Sequence, residues 1–158
     1  MLLAVVRFVA MFAVALAMGE TFAHVLEAGP KATLPADQYL VVQLHLYQHF
    51  GPAASVLEPL ALLASIALVI LVRQRPLPFW TSALAVVCVI GMLISFAVGN
   101  APINQEQAGW TTTSLPANWR EVRDSWELFH AASFGLATMA FTALLVGMLY
   151  DSRLAGRS

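Results

Sequence analysis

Four long apolar stretches constrain the fold of this chain more than any other feature. They cover about residues 2–26, 51–72, 79–98 and 127–149. A helix needs roughly 20 apolar residues to cross a bilayer, and lipid cannot satisfy free backbone polar groups, so each stretch predicts a membrane-spanning α-helix. Charge is scarce as well, because Asp, Glu, Lys and Arg make up only 11% of the 158 residues. We therefore predict a single transmembrane domain, residues 1–158, that is an all-α integral membrane four-helix bundle with extended outer connectors.

The remaining composition excludes several classes of protein. A formal net charge of -1 and the lack of a basic run leave no electrostatic footprint for nucleic acid. Cys88 is the one cysteine, which excludes an intrachain disulfide and a CxxC metal motif. The sequence contains no nucleotide-binding glycine motif, no hydrolase motif such as GxSxG and no HExxH. Covalent haem is excluded because CxxCH is absent.

Basic residues predict the orientation in the membrane. Arg73 and Arg75 lie in the turn between the second and third spans, and Arg153 and Arg157 follow the fourth. The positive-inside rule therefore places both termini in the cytoplasm of a cell carrying this protein in its cell membrane, with the two longer connectors outside. Arg7 agrees with this orientation because its long side chain can reach the inner face from the first span.

Local signals indicate how the connectors begin. Ala15-Leu16-Ala17 resembles a signal-peptide cleavage site, although the polar positions that follow continue at helical spacing and favour a retained span. Pro35-Ala36-Asp37 is typical of a helix start. Gly99-Asn100-Ala101-Pro102 predicts the end of the third helix, because proline cannot donate a hydrogen bond and restricts the residue before it.

Ionisable side chains collect in the outer half of the predicted bundle. At about 1.5 Å per residue, Glu20, His24 and Glu58 lie roughly 20 to 26 Å above the basic residues of the inner face. His130 begins the fourth span at the same level. A charged acid within a span costs about 2.5 kcal/mol or more. Glu20 and Glu58 are therefore predicted to face the bundle with a partner or a proton, and the structural alternative is an interhelical hydrogen bond.

The spacing of these side chains suggests a transition-metal site. Glu127 and His130 form Glu-x-x-His, which holds paired iron or manganese in four-helix carboxylate proteins that carry it twice. The candidate ligands are Glu20, His24, Glu58, Glu127 and His130, with His45 and His49 as weaker candidates. Iron is expected if carboxylates dominate and copper if the two weaker histidines join. A noncovalent haem held by two histidines is a further alternative. Glu127 could instead favour the dipole of its helix, and His45 and His49 could be exposed interfacial residues.

Short segments spread over nearly the whole chain are similar to those of one membrane-protein family. They are His24–Glu27, Lys31–Asp37, Leu57–Leu60, Pro102–Asn104, Leu115–Trp119 and Arg123–His130. The resemblance is to the widespread four-helix membrane family that includes fungal anthrone oxygenases. Those fungal proteins oxidise a polyketide anthrone to an anthraquinone, so the resemblance implies a dioxygen reaction on a flat apolar substrate, with Asn104 and Trp126 in the substrate pocket. Many members carry an Arg shortly after the helix-four His, where this chain has Ser133.

The expected function is a membrane oxidoreductase, oxygenase-like, acting on an apolar small molecule at an outward-facing polar or metal site. Glu20, Glu58 and His130 would handle protons or hold a metal, with His24 and Glu127 in support. The alternative is a noncatalytic membrane subunit or a lipid-binding or small-ligand-binding protein, in which the same polar layer joins helix to helix. Membrane lipid and the apolar molecule are the expected partners, and a homo-oligomer or a larger membrane complex is left open.

Overall fold

Four long helices dominate the computed structural model, which describes the backbone of residues 1–155 and the side chains of residues 1–153. They are α1 (Leu2–Ala32), α3 (Phe50–Leu71), α4 (Pro76–Ser95) and α6 (Trp119–Ala155). Two short helices, α2 (Ala36–Val41) and α5 (Ala101–Ala108), lie in the connectors. No strand occurs in residues 1–155, so the all-α prediction is confirmed. Arg157, which contributed to the predicted orientation, lies outside the described residues.

The third helix does not end where the sequence predicted. After α4 the chain continues through a π-helical segment, Phe96–Asn100, directly into α5, and the whole of Pro76–Ala108 is helical. Pro102 lacks an N–H and its ring crowds the carbonyl four residues earlier. A wider π turn just before the proline accommodates both effects. The prediction that Gly99–Pro102 terminates this helix was therefore wrong.

The first and fourth helices also extend beyond the apolar stretches. α1 reaches Ala32 rather than residue 26, and α6 begins at Trp119 rather than residue 127. The predicted helix start at Pro35 is confirmed, since α2 begins at the next residue. A second π-helical segment, Val42–Leu46, follows α2 and leads toward α3. The predicted extended connectors are therefore largely helical.

Length and hydropathy make these helices suitable for a bilayer. The four candidate spans have mean hydropathies of 2.3, 2.3, 2.4 and 1.8 in chain order. Large apolar side chains lie on their outer surfaces, including Phe8, Leu63, Val87 and Met139. A continuous exposed apolar surface of this kind is suited to lipid and not to water. The chain is a multi-pass membrane protein.

Small residues allow the four helices to approach closely. α1 and α4 each contact both α3 and α6, so the long helices form a closed ring. Alanines fill much of the core, among them Ala10, Ala61, Ala85 and Ala140. In lipid, close backbone approach and dispersion replace the hydrophobic effect as the force between helices. Gly99 marks one such close approach, because an added Cβ would overlap the Phe129 ring.

The two ends of the bundle differ in composition. At the end that carries the N-terminus, which we call the charged end, Arg7 and Arg75 both donate to Asp151. This cluster joins α1, the start of α4 and the last turns of α6. At the opposite end, which we call the pocket end, an aromatic cluster covers the helices. Its buried members are Tyr39, Leu40, Trp110 and Trp119.

Candidate functional site

A cavity of about 220 Å³ lies at the pocket end and is partly open to the exterior of the protein. It is bounded by α1, α3, α6, the connector around Tyr47 and the helical segment that leads into α5. Six of the residues singled out from sequence line it, namely Glu20, His24, Glu58, Asn104, Trp126 and His130. The structure therefore brings together residues from four separate helical segments. Four of these residues, Glu20, His24, Glu58 and His130, were predicted to lie at one level of the bundle.

Two histidines are in direct contact in this cavity. The ring centroids of His24 and His130 are 4.0 Å apart with an interplanar angle of 40°. Only 2% of His24 is exposed, and its ring also packs against Tyr47, Phe50 and Trp126, each at 4.8 Å between centroids. In the described side chains, His24 Nδ1 and His130 Nε2 are buried without a hydrogen-bond partner. The described structure therefore holds the two rings by packing, without a hydrogen bond to either of these nitrogens.

Two carboxyl groups share the same space. Glu20 on α1 and Glu58 on α3 both line the cavity and are close enough to interact electrostatically. Within residues 1–153 neither forms an ion pair or a hydrogen bond to another side chain. Glu58 is only 9% exposed and lies beside Pro59 within α3. Unpaired acids at this depth are costly and are typical of functional positions in membrane proteins.

Trp126 forms one wall of the cavity and is held at two points. Asn100 Nδ2 donates to the Trp126 carbonyl oxygen at 3.0 Å, and Trp126 Nε1 donates to Asn104 Oδ1 at 2.7 Å. Asn100 is buried in the π-helical segment, within the stretch where the sequence predicted the end of the helix. The close contact of Gly99 with Phe129 brings both asparagines within reach of α6.

Glu127 does not line the cavity, although sequence spacing placed it with the ligands. Lys31 Nζ lies 2.6 Å from Glu127 Oε1, and both side chains are largely buried. The same ammonium group is 4.6 Å from the ring centroids of Tyr47 and of Trp126. This combination of ion pair and cation–π contact fixes the aromatic wall from behind. Lys31 was missed in the sequence because nothing in its local pattern separates it from an ordinary connector lysine.

Buried phenols lie at the outer edge of the site. The Tyr47 hydroxyl donates to Glu27. Burial is the larger cause and the Glu27 carboxylate the smaller cause that raise the pKa of Tyr47 well above its ordinary value. Burial likewise raises the pKa of Tyr39, whose hydroxyl accepts a 3.0 Å hydrogen bond from Gln107 Nε2. Both side chains are therefore neutral phenols at physiological pH.

Further lining residues were missed in the sequence. They include Gln43, Tyr47, Phe50, Phe96, Gln107 and Ser133. One signal could have found part of this set, since Tyr39, Gln43 and Tyr47 recur every four residues and all three are buried. That spacing predicts one inward-facing stripe on the connector helix.

The residues present do not fit the predicted metal or haem. Among the described residues no group of three His, Cys, Asp or Glu side chains is arranged to hold a metal ion. His45 and His49 are exposed and lie outside the cavity lining, which agrees with their interpretation as interfacial residues. Direct contact between the His24 and His130 rings leaves no room for a porphyrin between them. The described lining therefore provides no coordination set for iron, copper or haem.

Comparisons of the chain with protein-family models, with curated proteins and with solved structures found no match. The resemblance to the family of anthrone oxygenases therefore stays a prediction. The geometry of the cavity is the ground on which a function is proposed.

Proposed function

We propose that the chain is an oxygenase-like oxidoreductase of the cell membrane that acts on a small apolar molecule in the pocket-end cavity. One observation carries the proposal: Glu20 and Glu58, both without a side-chain partner within residues 1–153, share a cavity with the contacting pair His24 and His130. Unpaired acids and imidazoles around a cavity are the groups from which general acid–base catalysis is built.

The cavity volume supports a ring-sized ligand. At about 220 Å³, it exceeds the ~150 Å³ of an apolar cavity that binds benzene and falls below the roughly 300 Å³ at which drug-sized pockets begin. One ring with substituents fits inside, and a larger fused molecule would extend through the open side. Phe50 and Trp126 provide flat apolar walls for such a ring.

The proposed reaction converts an aryl-activated CH₂ group and dioxygen into a ketone and water. Glu58 removes one proton from the carbon, and the resulting carbanion reduces dioxygen. One oxygen atom stays on the carbon as the carbonyl. The other leaves as water together with the two hydrogens that the carbon has lost, so atoms and electrons balance. His24 and His130 accept and return protons, and Glu20 supports Glu58 from the facing helix.

Orientation is part of the proposal. Three arginines lie at the charged end: Arg7 near the start of α1, Arg75 just before α4, and Arg153 in the last turn of α6. The positive-inside rule then puts the charged end and both termini in the cytoplasm and the cavity at the outer face.

A noncatalytic role is the second candidate, and the polar contacts between helices favour it. Ser133 Oγ donates to Ser95 Oγ at 3.2 Å, and Asn100 joins the segment after α4 to α6. Side chains of this kind hold membrane helices together without catalysing anything. Under this alternative the cavity binds a lipid or a small ligand and returns it unchanged.

Turnover separates the two candidates. The full chain in lipid nanodiscs is given anthrone, and oxygen uptake and quinone formation are followed against empty nanodiscs. Turnover above the empty-disc rate is expected, with a loss of about 10²-fold or more in Glu58→Gln, the usual contribution of a general base. Glu121→Gln is the matched control because Glu121 is exposed and outside the cavity. Equal rates with and without protein would refute the oxygenase proposal.

A further inference from the structure

The segments that surround the cavity carry much more acid than base. Residues 20–58 and 100–130 together hold eight acidic side chains, whereas the ninth acid of the chain, Asp151, lies among the arginines of the charged end. The same two segments hold three bases, which are Lys31, Arg120 and Arg123. Charge summed over one face of a protein raises the local concentration of ions of opposite sign. The pocket end therefore attracts cations toward the mouth of the cavity.

The buried base beside the cavity, Lys31, does not reverse this charge. Lys31 is not part of the described cavity lining, and its Nζ lies 2.6 Å from Glu127 Oε1. A second acid, Glu27, is also close enough to interact with Lys31 electrostatically. Arg123 is likewise paired, at 2.8 Å from Asp124 Oδ1. The positive charges behind the aromatic wall are therefore already balanced by the protein's own acids.

Two acids open into the cavity itself. Glu20 and Glu58 line it and have no side-chain partner within residues 1–153, and no lysine or arginine belongs to the described lining. Gln43 Oε1 and Gln107 Oε1 are closed off by packing, but the carboxyl oxygens of Glu20 and Glu58 are not. The charged groups that a ligand can reach in the described lining are therefore both acids.

His24 adds a polar group beside Glu20. It follows Glu20 by four residues on α1, so the two side chains lie on one face of the helix. Only 2% of His24 is exposed, and in the described side chains its ring forms no hydrogen bond. Its Nδ1 is closed off by packing, whereas Nε2 is not. Because a neutral imidazole accepts a hydrogen bond at one nitrogen, Nε2 can serve a donor on a ligand in the cavity.

The lining suits an organic cation better than a metal ion. Among the described residues no three His, Cys, Asp or Glu side chains are arranged to hold a metal, and a hard cation such as Ca²⁺ takes about six to eight oxygen ligands. An organic cation needs fewer polar contacts because its apolar part packs against apolar walls, which Phe50, Phe96 and Trp126 provide. A volume of about 220 Å³ holds one ring with a short side chain.

We propose that the cavity binds a primary organic ammonium ion carrying one aromatic ring, the arylalkylamine class, and rejects the corresponding anion. A primary ammonium group has three N–H donors, and Glu20, Glu58 and His24 are unpartnered groups of the lining that can accept them. Hydrogen bonds between an ammonium and a carboxylate are roughly twice as strong as neutral ones. The inference goes beyond the proposed function, because it concerns the charge of the ligand and requires no turnover.

Four single-ring probes test this selectivity. The full chain in nanodiscs of zwitterionic lipid is titrated at neutral pH with benzylammonium, benzyl alcohol, benzoate and benzyltrimethylammonium, using calorimetry with empty nanodiscs as background. Benzylammonium is expected to bind about tenfold or more tightly than benzyl alcohol, the effect of one charge-assisted hydrogen bond. Equal affinity for benzyl alcohol, or tighter binding of benzoate, would overturn the proposal. Benzyltrimethylammonium keeps the charge without an N–H donor, so equal or tighter binding of this probe would overturn the primary-amine class.

Carboxamide variants locate the effect. Glu58→Gln removes one acid with little change of shape, so affinity for benzylammonium should fall about tenfold while affinity for benzyl alcohol is unchanged. Glu20→Gln should act in the same way and is the second variant if thermal melting shows that Glu58→Gln does not fold. Glu106→Gln is the control, because Glu106 is an exposed acid that does not line the cavity. If the folded variants bind benzylammonium like the unaltered chain, the two acids do not hold the cation and the proposal fails.

The two proposals fail separately. A chain that binds benzylammonium selectively but consumes no oxygen with anthrone would refute the oxygenase function and keep the ligand class. A chain that oxidises anthrone but binds benzyl alcohol as well as benzylammonium would refute the ligand class alone.

Discussion

The charged end and the cavity of the pocket end both bury ionisable side chains, but they treat them in opposite ways. At the charged end Asp151 accepts from both Arg7 and Arg75. Around the cavity, Glu20 and Glu58 have no side-chain partner within residues 1–153. Burial of charge alone therefore does not mark a functional site in this protein. The missing partner is what distinguishes the cavity, because an unpaired acid at this depth is costly.

Removing Lys31 should give the largest loss of stability, since among the described residues of the pocket end it breaks the ion pair in which both side chains are largely buried. Lys31→Met leaves the Glu127 carboxylate buried and alone, which is expected to cost about 3–5 kcal/mol of unfolding free energy. Thermal or denaturant unfolding in detergent measures it. The double variant with Glu127→Gln should recover part of the loss. If the single variant is as stable as the unaltered chain, the pair is not what fixes this end.

Breaking the ion pairs of the charged end should lower the unfolding free energy by less than the loss of Lys31 does, because Arg75 is about half exposed. Asp151→Asn removes the charge that both arginines share and is expected to cost roughly 2–3 kcal/mol. Asp37→Asn is the control, since Asp37 is exposed and forms no ion pair in the described structure. Unfolding curves that coincide for the two variants would show that the arginine cluster is solvated and contributes nothing.

The close packing of Gly99 against Phe129 can be tested separately from the charged side chains. Gly99→Ala places a methyl group into the Phe129 ring and should cost about 1–3 kcal/mol, the usual range for overpacking. It should also shift the fluorescence of Trp126, because the neighbouring Asn100 bonds to that residue. Gly19→Ala, where an added Cβ meets nothing within 4 Å, serves as the control. A Gly99→Ala protein with unchanged stability and emission would show that the helices can separate freely here.

Glu58 should show the smallest effect on stability and thereby sharpen the contrast between the ends. Glu58→Gln breaks no ion pair, so the free energy of unfolding should change by less than about 1 kcal/mol. Turnover, measured on the same preparation, should fall under the proposed function. A destabilisation as large as that of Asp151→Asn would mean that Glu58 has a structural partner and that the proposed division between the ends is wrong.

Much of the framework follows from hydropathy and the helical rise. Four apolar stretches suffice to predict the spans, and counting residues from the inner basic positions places Glu20, His24 and Glu58 in one layer. Both are properties of a helix considered by itself. The structure adds that these residues line a common cavity with His130.

The contacts between helices could not be predicted in the same way. Whether Glu127 turns toward the cavity or toward Lys31 depends on the rotation of α6 about its axis. A shift of one residue changes that direction by about 100°, and sequence spacing alone does not fix the rotation. The π turn before Pro102 could not be predicted from the sequence either, since a proline is compatible with a break, a kink or a widened turn of the helix.

Under the proposed function, the unbroken helix from Pro76 to Ala108 bears on where a ligand is exchanged. Its 33 residues span about 50 Å at 1.5 Å per residue, whereas the hydrocarbon core of a bilayer is roughly 30 Å thick. A helix of that length extends beyond the hydrocarbon core, so we expect its last turns, with Asn104 and Gln107, to lie in the headgroup layer. Bilayer thickness then becomes a variable of ligand exchange, because a thicker membrane draws the mouth of the cavity toward the acyl chains and a thinner one leaves it in water.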